Sequence, residues 1–142
     1  MGPPRARRKA RCRALEFLFG LEFTGDEWQS ALVAFWKTFE TKESVREYAE
    51  LLVAGAFERR EELDEYIDAA LKGWTPERVG RIERNVLRIG VFEMVFVDDV
   101  PPKVAINEAI ELAKSYGSDE SPGFVNAVLD RIKDKNFRES PA

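Results

Sequence analysis

Residues 102–117 read Pro-Lys-Val-Ala-Ile-Asn-Glu-Ala-Ile-Glu-Leu-Ala-Lys-Ser-Tyr-Gly, and their spacing decides the fold class. Ala105, Ile106, Ala109, Ile110, Leu112, Ala113 and Tyr116 fall on one face of a 3.6-residue repeat, the signature of an amphipathic helix. Gly117 suits the residue after the helix, because glycine tolerates positive φ. On the N-terminal side, Asp98-Asp99-Val100-Pro101-Pro102 ends the preceding segment, since residues before proline avoid the α region. On the C-terminal side, Ser118, Ser121 and Pro122 make a turn. A last stripe of Phe124, Val125, Val128, Leu129 and Ile132 follows.

The same period extends outward to the N-terminus. Val79, Ile82, Val86 and Ile89 form a stripe whose helix is predicted to start at Thr75-Pro76, a capping hydroxyl followed by a residue with no N–H. Val91 to Val97 is β-rich in composition, but it continues this helical segment and is interrupted by Glu93 and Met94. Leu63, Tyr66, Ile67, Ala70 and Leu71 form another stripe. Val45, Tyr48, Ala49, Leu52, Gly55 and Ala56 form one before it. Trp28, Leu32, Phe35, Trp36 and Phe39, and then Cys12, Leu15, Leu18 and Phe19, complete the set. No period-2 run bounded by turns occurs. The prediction is an all-α chain of about seven helices with short connections. The seam between two halves is placed at Lys72-Gly73-Trp74-Thr75.

Composition narrows the chemistry. The 142 residues fit one domain, or two small subdomains on one core, and 44 % are hydrophobic and 34 % charged. There is no histidine, which excludes histidine-based zinc sites and Ser-His-Asp triads. One cysteine, Cys12, excludes a disulfide framework and makes a reducing cytoplasm the expected location. No apolar run approaches the roughly 20 residues that span a bilayer. No phosphate-binding glycine loop occurs, and the adjacent acids Asp98-Asp99 and Glu61-Glu62 read as solvated faces. The expectation is a non-enzyme with no metal, no cofactor and no membrane partner.

Charge carries the sharpest signal. The net charge of −4 conceals a first segment, residues 1–15, with Arg5, Arg7, Arg8, Lys9, Arg11, Arg13 and no acid. The rest of the chain holds 16 basic and 26 acidic side chains, a net of −10. Like charges repel along a helix, and these also sit at the positive end of its dipole. Such an arrangement makes sense when a polyanion neutralises it. Arg8, Arg11, Leu15 and Leu18 step by three, four and three, so one column turns from arginine to core. The first helix is expected to extend beyond the bundle and offer its upper turns to a ligand. Arginine outnumbers lysine five to one there, which favours nucleic acid over a membrane surface. Phe19 and Phe124 are candidates for stacking on bases, although pattern alone places both in the core.

Longer motifs now point to a family. Pro102–Lys114, the run Phe124-Val125-Asn126-Ala127-Val128-Leu129-Asp130, the stretch Ile82-Glu83-Arg84-Asn85-Val86-Leu87-Arg88-Ile89, and the arginine-rich start followed by Ala14-Leu15 and Leu18-Phe19 resemble the NusB family of bacterial antitermination factors. The resemblance spans nearly the whole chain, tightly over residues 75–132 and loosely over 24–72. It implies a NusB-like fold, with two three-helix-bundle subdomains (1–72 and 73–142) meeting in one domain of residues 1–142. It implies binding of single-stranded boxA RNA from ribosomal RNA leader transcripts together with NusE, a small-subunit ribosomal protein. Other Nus factors and RNA polymerase complete the implied assembly; whether the free chain forms a homodimer is open.

Carried over position by position, the family's RNA-binding element falls on Arg7, Arg8, Lys9 and Arg11, with Arg5 and Arg13 extending the charge. Its aromatic position falls on Phe19, where the hydroxyl is missing and stacking or packing is retained. The acid linked to NusE falls on Glu83, and Phe19 is assigned to NusE as well as to RNA. The region of Glu120 and Phe124 resembles a second RNA-contacting edge. Two departures are Ala127, where the family often has glycine, and a proline-led helix start at Ser121-Pro122-Gly123. An RNA-docking domain for ribosomal RNA modification or ribosome assembly is the alternative, which the length disfavours. A protein-binding scaffold is a third reading, and the basic segment speaks against it.

Overall fold

A computed structural model describes residues 3–24, 27–39, 42–73 and 79–137. Among them are seven helices and no strand: α1 (Pro4–Thr24), α2 (Trp28–Thr38), α3 (Glu43–Glu58), α4 (Arg60–Ala70), α5 (Arg81–Phe96), α6 (Pro102–Tyr116) and α7 (Ser121–Asn136). The all-α prediction and its helix order hold. No helix among the described residues is long and apolar enough to cross a membrane.

The chain divides into two compact units, residues 1–55 and 56–142. In the first, Ala10, Ala14, Leu15, Phe17 and Leu18 of α1 are buried, as are Leu32 and Trp36 of α2 and Val45, Tyr48, Ala49, Leu52 and Val53 of α3. Phe17 meets Phe35 edge to face at 5.4 Å between ring centroids, tying α1 to α2.

In the second unit α5, α6 and α7 pack on one another, and α4 lies against α5 and α7. Gly90 in mid-α5 allows this closeness: a Cβ there would stand 2.9 Å from Leu129 Cδ1 and 3.4 Å from Ala109 Cβ. Arg88 forks onto Asp64, donating from Nε and Nη2 at 2.9 and 3.0 Å, and Arg84 donates to Asp68 at 2.9 Å. These pairs and the buried Leu63 and Ile67 hold α4 to α5. Compactness therefore divides the chain within α3, and the seam expected at 72–75 falls inside the second unit. Gly73, with φ of 94°, is the turn that ends α4.

One local expectation lies outside the described residues and another is corrected. The predicted helix start at Thr75-Pro76 lies outside the described residues, and α5 begins only at Arg81, after Val79 and an extended Gly80. Gly117 does follow α6, but its φ is −98°, so positive φ is not what requires glycine. Space is. A Cβ at 117 would lie 2.5 Å from Ser121 Oγ, 2.6 Å from Ser121 Cβ and 2.9 Å from the carbonyl oxygen of Ala113. The chain turns from α6 into α7 so tightly that no side chain fits.

Candidate nucleic-acid interface

The basic segment forms the first turns of α1, with Pro4 at the start and no acid in the first turn. Helical geometry separates its cations by face. Arg7 and Arg11, one turn apart, lie on the face turned to α3, and both reach the ring of Tyr48. The Arg7 guanidinium carbon stands 4.6 Å from the ring centroid and that of Arg11 5.8 Å. Tyr48 is fully buried and Arg11 is 4 % exposed, while Arg7 is half-buried. A guanidinium over an aromatic face gains about 0.5–1 kcal/mol when exposed and about 2 when desolvated. Arg7 makes the closer contact and Arg11 the more desolvated one, and the stem of Arg11 contributes packing as well.

This corrects the expectation of a first helix protruding past the bundle at Arg11. Ala10 and Arg11 are already covered, because α3 presents Tyr48 to them. The exposed cations of the segment are Arg5, Arg8 and Lys9. Arg13 is engaged otherwise: its Nη1 donates to Glu16 at 2.9 Å, and its guanidinium lies 5.3 Å from the Phe39 ring centroid. Phe19 is half-buried on α1.

A second set of predicted residues meets in the other unit. Glu83 near the start of α5, and Glu120 and Phe124 at the start of α7, line one depression with Ser118, Asp119 and Ser121. The hydroxyl of buried Ser121 donates to Glu83 Oε2, and its oxygen accepts the backbone N–H of Ser118 at 2.9 Å. Glu83 also folds back over Gly80, where its Oε1 occupies the space a Cβ would take. Glu83 is thus a brace between the starts of α5 and α7, a role the sequence did not announce. Three carboxylates around one depression repel phosphate. They can accept hydrogen bonds from exocyclic amino groups of bases, cytosine N4 for example. Phe124, half-buried at the edge, adds an aromatic surface suited to stacking.

The predicted residues therefore fall into separate groups. Arg7 and Arg11 share the Tyr48 ring, Glu83, Glu120 and Phe124 share the acidic depression, and Phe19 and Glu83 belong to different units. In the sequence Tyr48 reads only as a core residue. Its spacing from the arginines becomes informative once α1 is paired with α3.

Comparison with known proteins places this architecture. The model of the NusB family matches residues 8–134. The transcription antitermination protein NusB of Trichlorobacter lovleyi is 43 % identical over 127 residues, covering 89 % of each chain. That of Anaeromyxobacter dehalogenans is 46 % identical with the same coverage. Among solved structures, NusB from T. maritima superposes with a TM-score of 0.81 at 34 % identity, covering 95 % of this chain and 94 % of that one. A chain in the complex of antitermination factors NusB and NusE with double-stranded RNA gives 0.82 at 30 % identity, covering 94 % and 99 %. With the family's pattern matched along almost its whole length and the same helical framework in solved NusB structures, the chain belongs to the NusB family.

Proposed function

We propose that this protein is a non-catalytic RNA-binding transcription factor. In this reading it binds boxA RNA of ribosomal RNA leader transcripts as a single strand, jointly with NusE. It supports antitermination of ribosomal RNA operons in the cytoplasm, alongside other Nus factors and RNA polymerase. The observation that carries the proposal is the start of α1, where Arg5, Arg8 and Lys9 are exposed beside an Arg7 already oriented on Tyr48. A structurally similar NusB chain crystallised with NusE and double-stranded RNA supports the choice of partners. Arg7, Arg8, Lys9 and Arg11 are assigned to the RNA site, Arg11 acting from beneath the surface. Glu120 and Phe124 are assigned to a base-contacting edge, Phe19 to both partners, and Glu83 to NusE.

The test is a titration of labelled boxA-like, scrambled and duplex RNA at several salt concentrations, with and without NusE. Preference for single-stranded boxA, tightened by NusE, is the expected result. Each phosphate contact on a single strand contributes about −0.7 to the log–log salt slope, so four engaged cations give roughly −3. Equal binding of all three RNAs, indifferent to NusE, overturns the reading.

Glu83 allows a sharper test of the NusE contact. Glu83→Gln keeps an oxygen for the Ser121 hydroxyl, whereas Glu83→Lys loses it, at a cost of about 1–2 kcal/mol in stability. If the negative charge meets NusE, both variants bind NusE more weakly, and the glutamine variant does so with its melting temperature nearly unchanged. Full NusE affinity in Glu83→Gln would leave Glu83 only its bracing role.

A further inference from the structure

We infer that the groove between α1 and the start of α3, walled by Arg5 and Lys9 on one side and Lys42 on the other, is a phosphate-binding track. It extends the RNA footprint onto α3. The inference rests on the RNA-binding reading above, shares Lys9 with the family's arginine-rich element, and adds to that element the groove it faces and a residue across it, Lys42.

The argument is geometric. Arg5, Lys9 and Arg13 step by four, so they line a different face of α1 from Arg7 and Arg11. That face overlooks an open groove of about 460 Å³, with Ala6 as a small floor residue and Lys42 and Ser44 opposite. The volume lies within the usual range of ligand clefts. Four of the lining side chains are cationic and none is acidic. Arg13 is held by Glu16, but Arg5, Lys9 and Lys42 make no ion pair with any described residue.

Cations facing one another across a groove without a carboxylate repel, and an anion between them relieves that repulsion. The position of Lys42 is itself well defined. Its carbonyl oxygen accepts the N–H groups of Val45 at 3.1 Å and Arg46 at 2.9 Å, which anchors it as the lead-in to α3. Ser44 supplies a hydroxyl suited to a phosphate oxygen. Arg8, next to Lys9 in the chain and exposed, is a further cation at the same end of the helix. A continuous run of phosphates matches this series of separated cations better than an acidic peptide, whose charges are irregularly spaced.

The experiment uses the full chain and a labelled single-stranded boxA-like RNA, titrated between 50 and 200 mM salt. Arg5→Gln/Lys42→Gln removes two charges from exposed positions, and Lys37→Gln, exposed on α2 and not among the residues lining the groove, is the control. If both residues touch phosphate, the slope flattens by about 1.4, and the affinity lost across that salt range shrinks about sevenfold. The control keeps the parent slope. Lysine acetylation read by mass spectrometry provides a second measurement that needs no variant: RNA should shield Lys9 and Lys42 but leave Lys37 reactive. If the double variant keeps the parent slope while Arg8→Gln flattens it, or if Lys42 stays as reactive as Lys37, the track is refuted and the RNA reading survives. If the parent chain binds no RNA at all, both fall together.

Discussion

Gly117→Ala is expected to lower the melting temperature by roughly 10 °C, a loss of about 3 kcal/mol. The added methyl has no room, since it meets Ser121 Oγ and Cβ at 2.5 and 2.6 Å and the Ala113 carbonyl oxygen at 2.9 Å. The last of these is backbone and cannot swing aside. Relief requires α7 to shift at its first residue, which disrupts the Ser118 N–H to Ser121 bond and the Ser121 to Glu83 bond. The companion substitution Gly123→Ala, two residues into the same helix, meets nothing within 4 Å. It should leave stability unchanged or raise it by up to about 1 kcal/mol through helix propensity. Thermal unfolding of both variants by circular dichroism checks the pair. Equal melting temperatures would show that the turn between α6 and α7 is looser than described.

Tyr48→Ala should cost about 3–5 kcal/mol, the range for deleting a large buried ring. Tyr48 is fully buried, and its removal also takes the aromatic face from Arg7 and Arg11, the latter only 4 % exposed. The loss of stability would obscure any effect on RNA, so Tyr48→Leu is the informative partner. Leucine restores apolar volume at a cost of about 1–2 kcal/mol but offers no π face. Arg7 then has to be ordered when RNA arrives. Immobilising such a side chain costs about 0.5–1.5 kcal/mol, which predicts an affinity drop of up to about tenfold. The number of cations is unchanged, so the salt slope should hold. An unaltered affinity would mean that the ring does not orient Arg7 for RNA.

The helices were legible because each repeats its apolar face at 3.6 residues, and because Pro102 and Pro122 mark where α6 and α7 start. Features set by packing between helices were not legible. Gly117 was correctly seen as a terminator for the wrong physical reason, since crowding by Ser121 is invisible in a string of residues. The grouping of α4 with α5 and α7 depends on the Arg88–Asp64 fork, which joins residues 24 apart in the chain. The basic segment is legible as a cluster of cations, and the column from Arg8 and Arg11 to Leu15 and Leu18 is legible with it, but not which of the cations another helix covers. The period itself contained the distinction, because 7 and 11 share one face and 5 and 9 another. Which face is covered depends on α3, and so does the nearness of Lys42. Glu83 had the same ambiguity: its brace to Ser121 spans 38 residues, beyond any local pattern.

The division of the first helix into seated and exposed cations also separates two time scales. Exposed side chains act on an approaching polyanion from a distance and set the rate of encounter, which falls as salt screens them. An arginine already held on a ring keeps its charge and also forms its contact without first losing conformational freedom. Its influence is on how long the complex survives. For the RNA binding proposed above, capture and retention are then set by different residues about one helical turn apart.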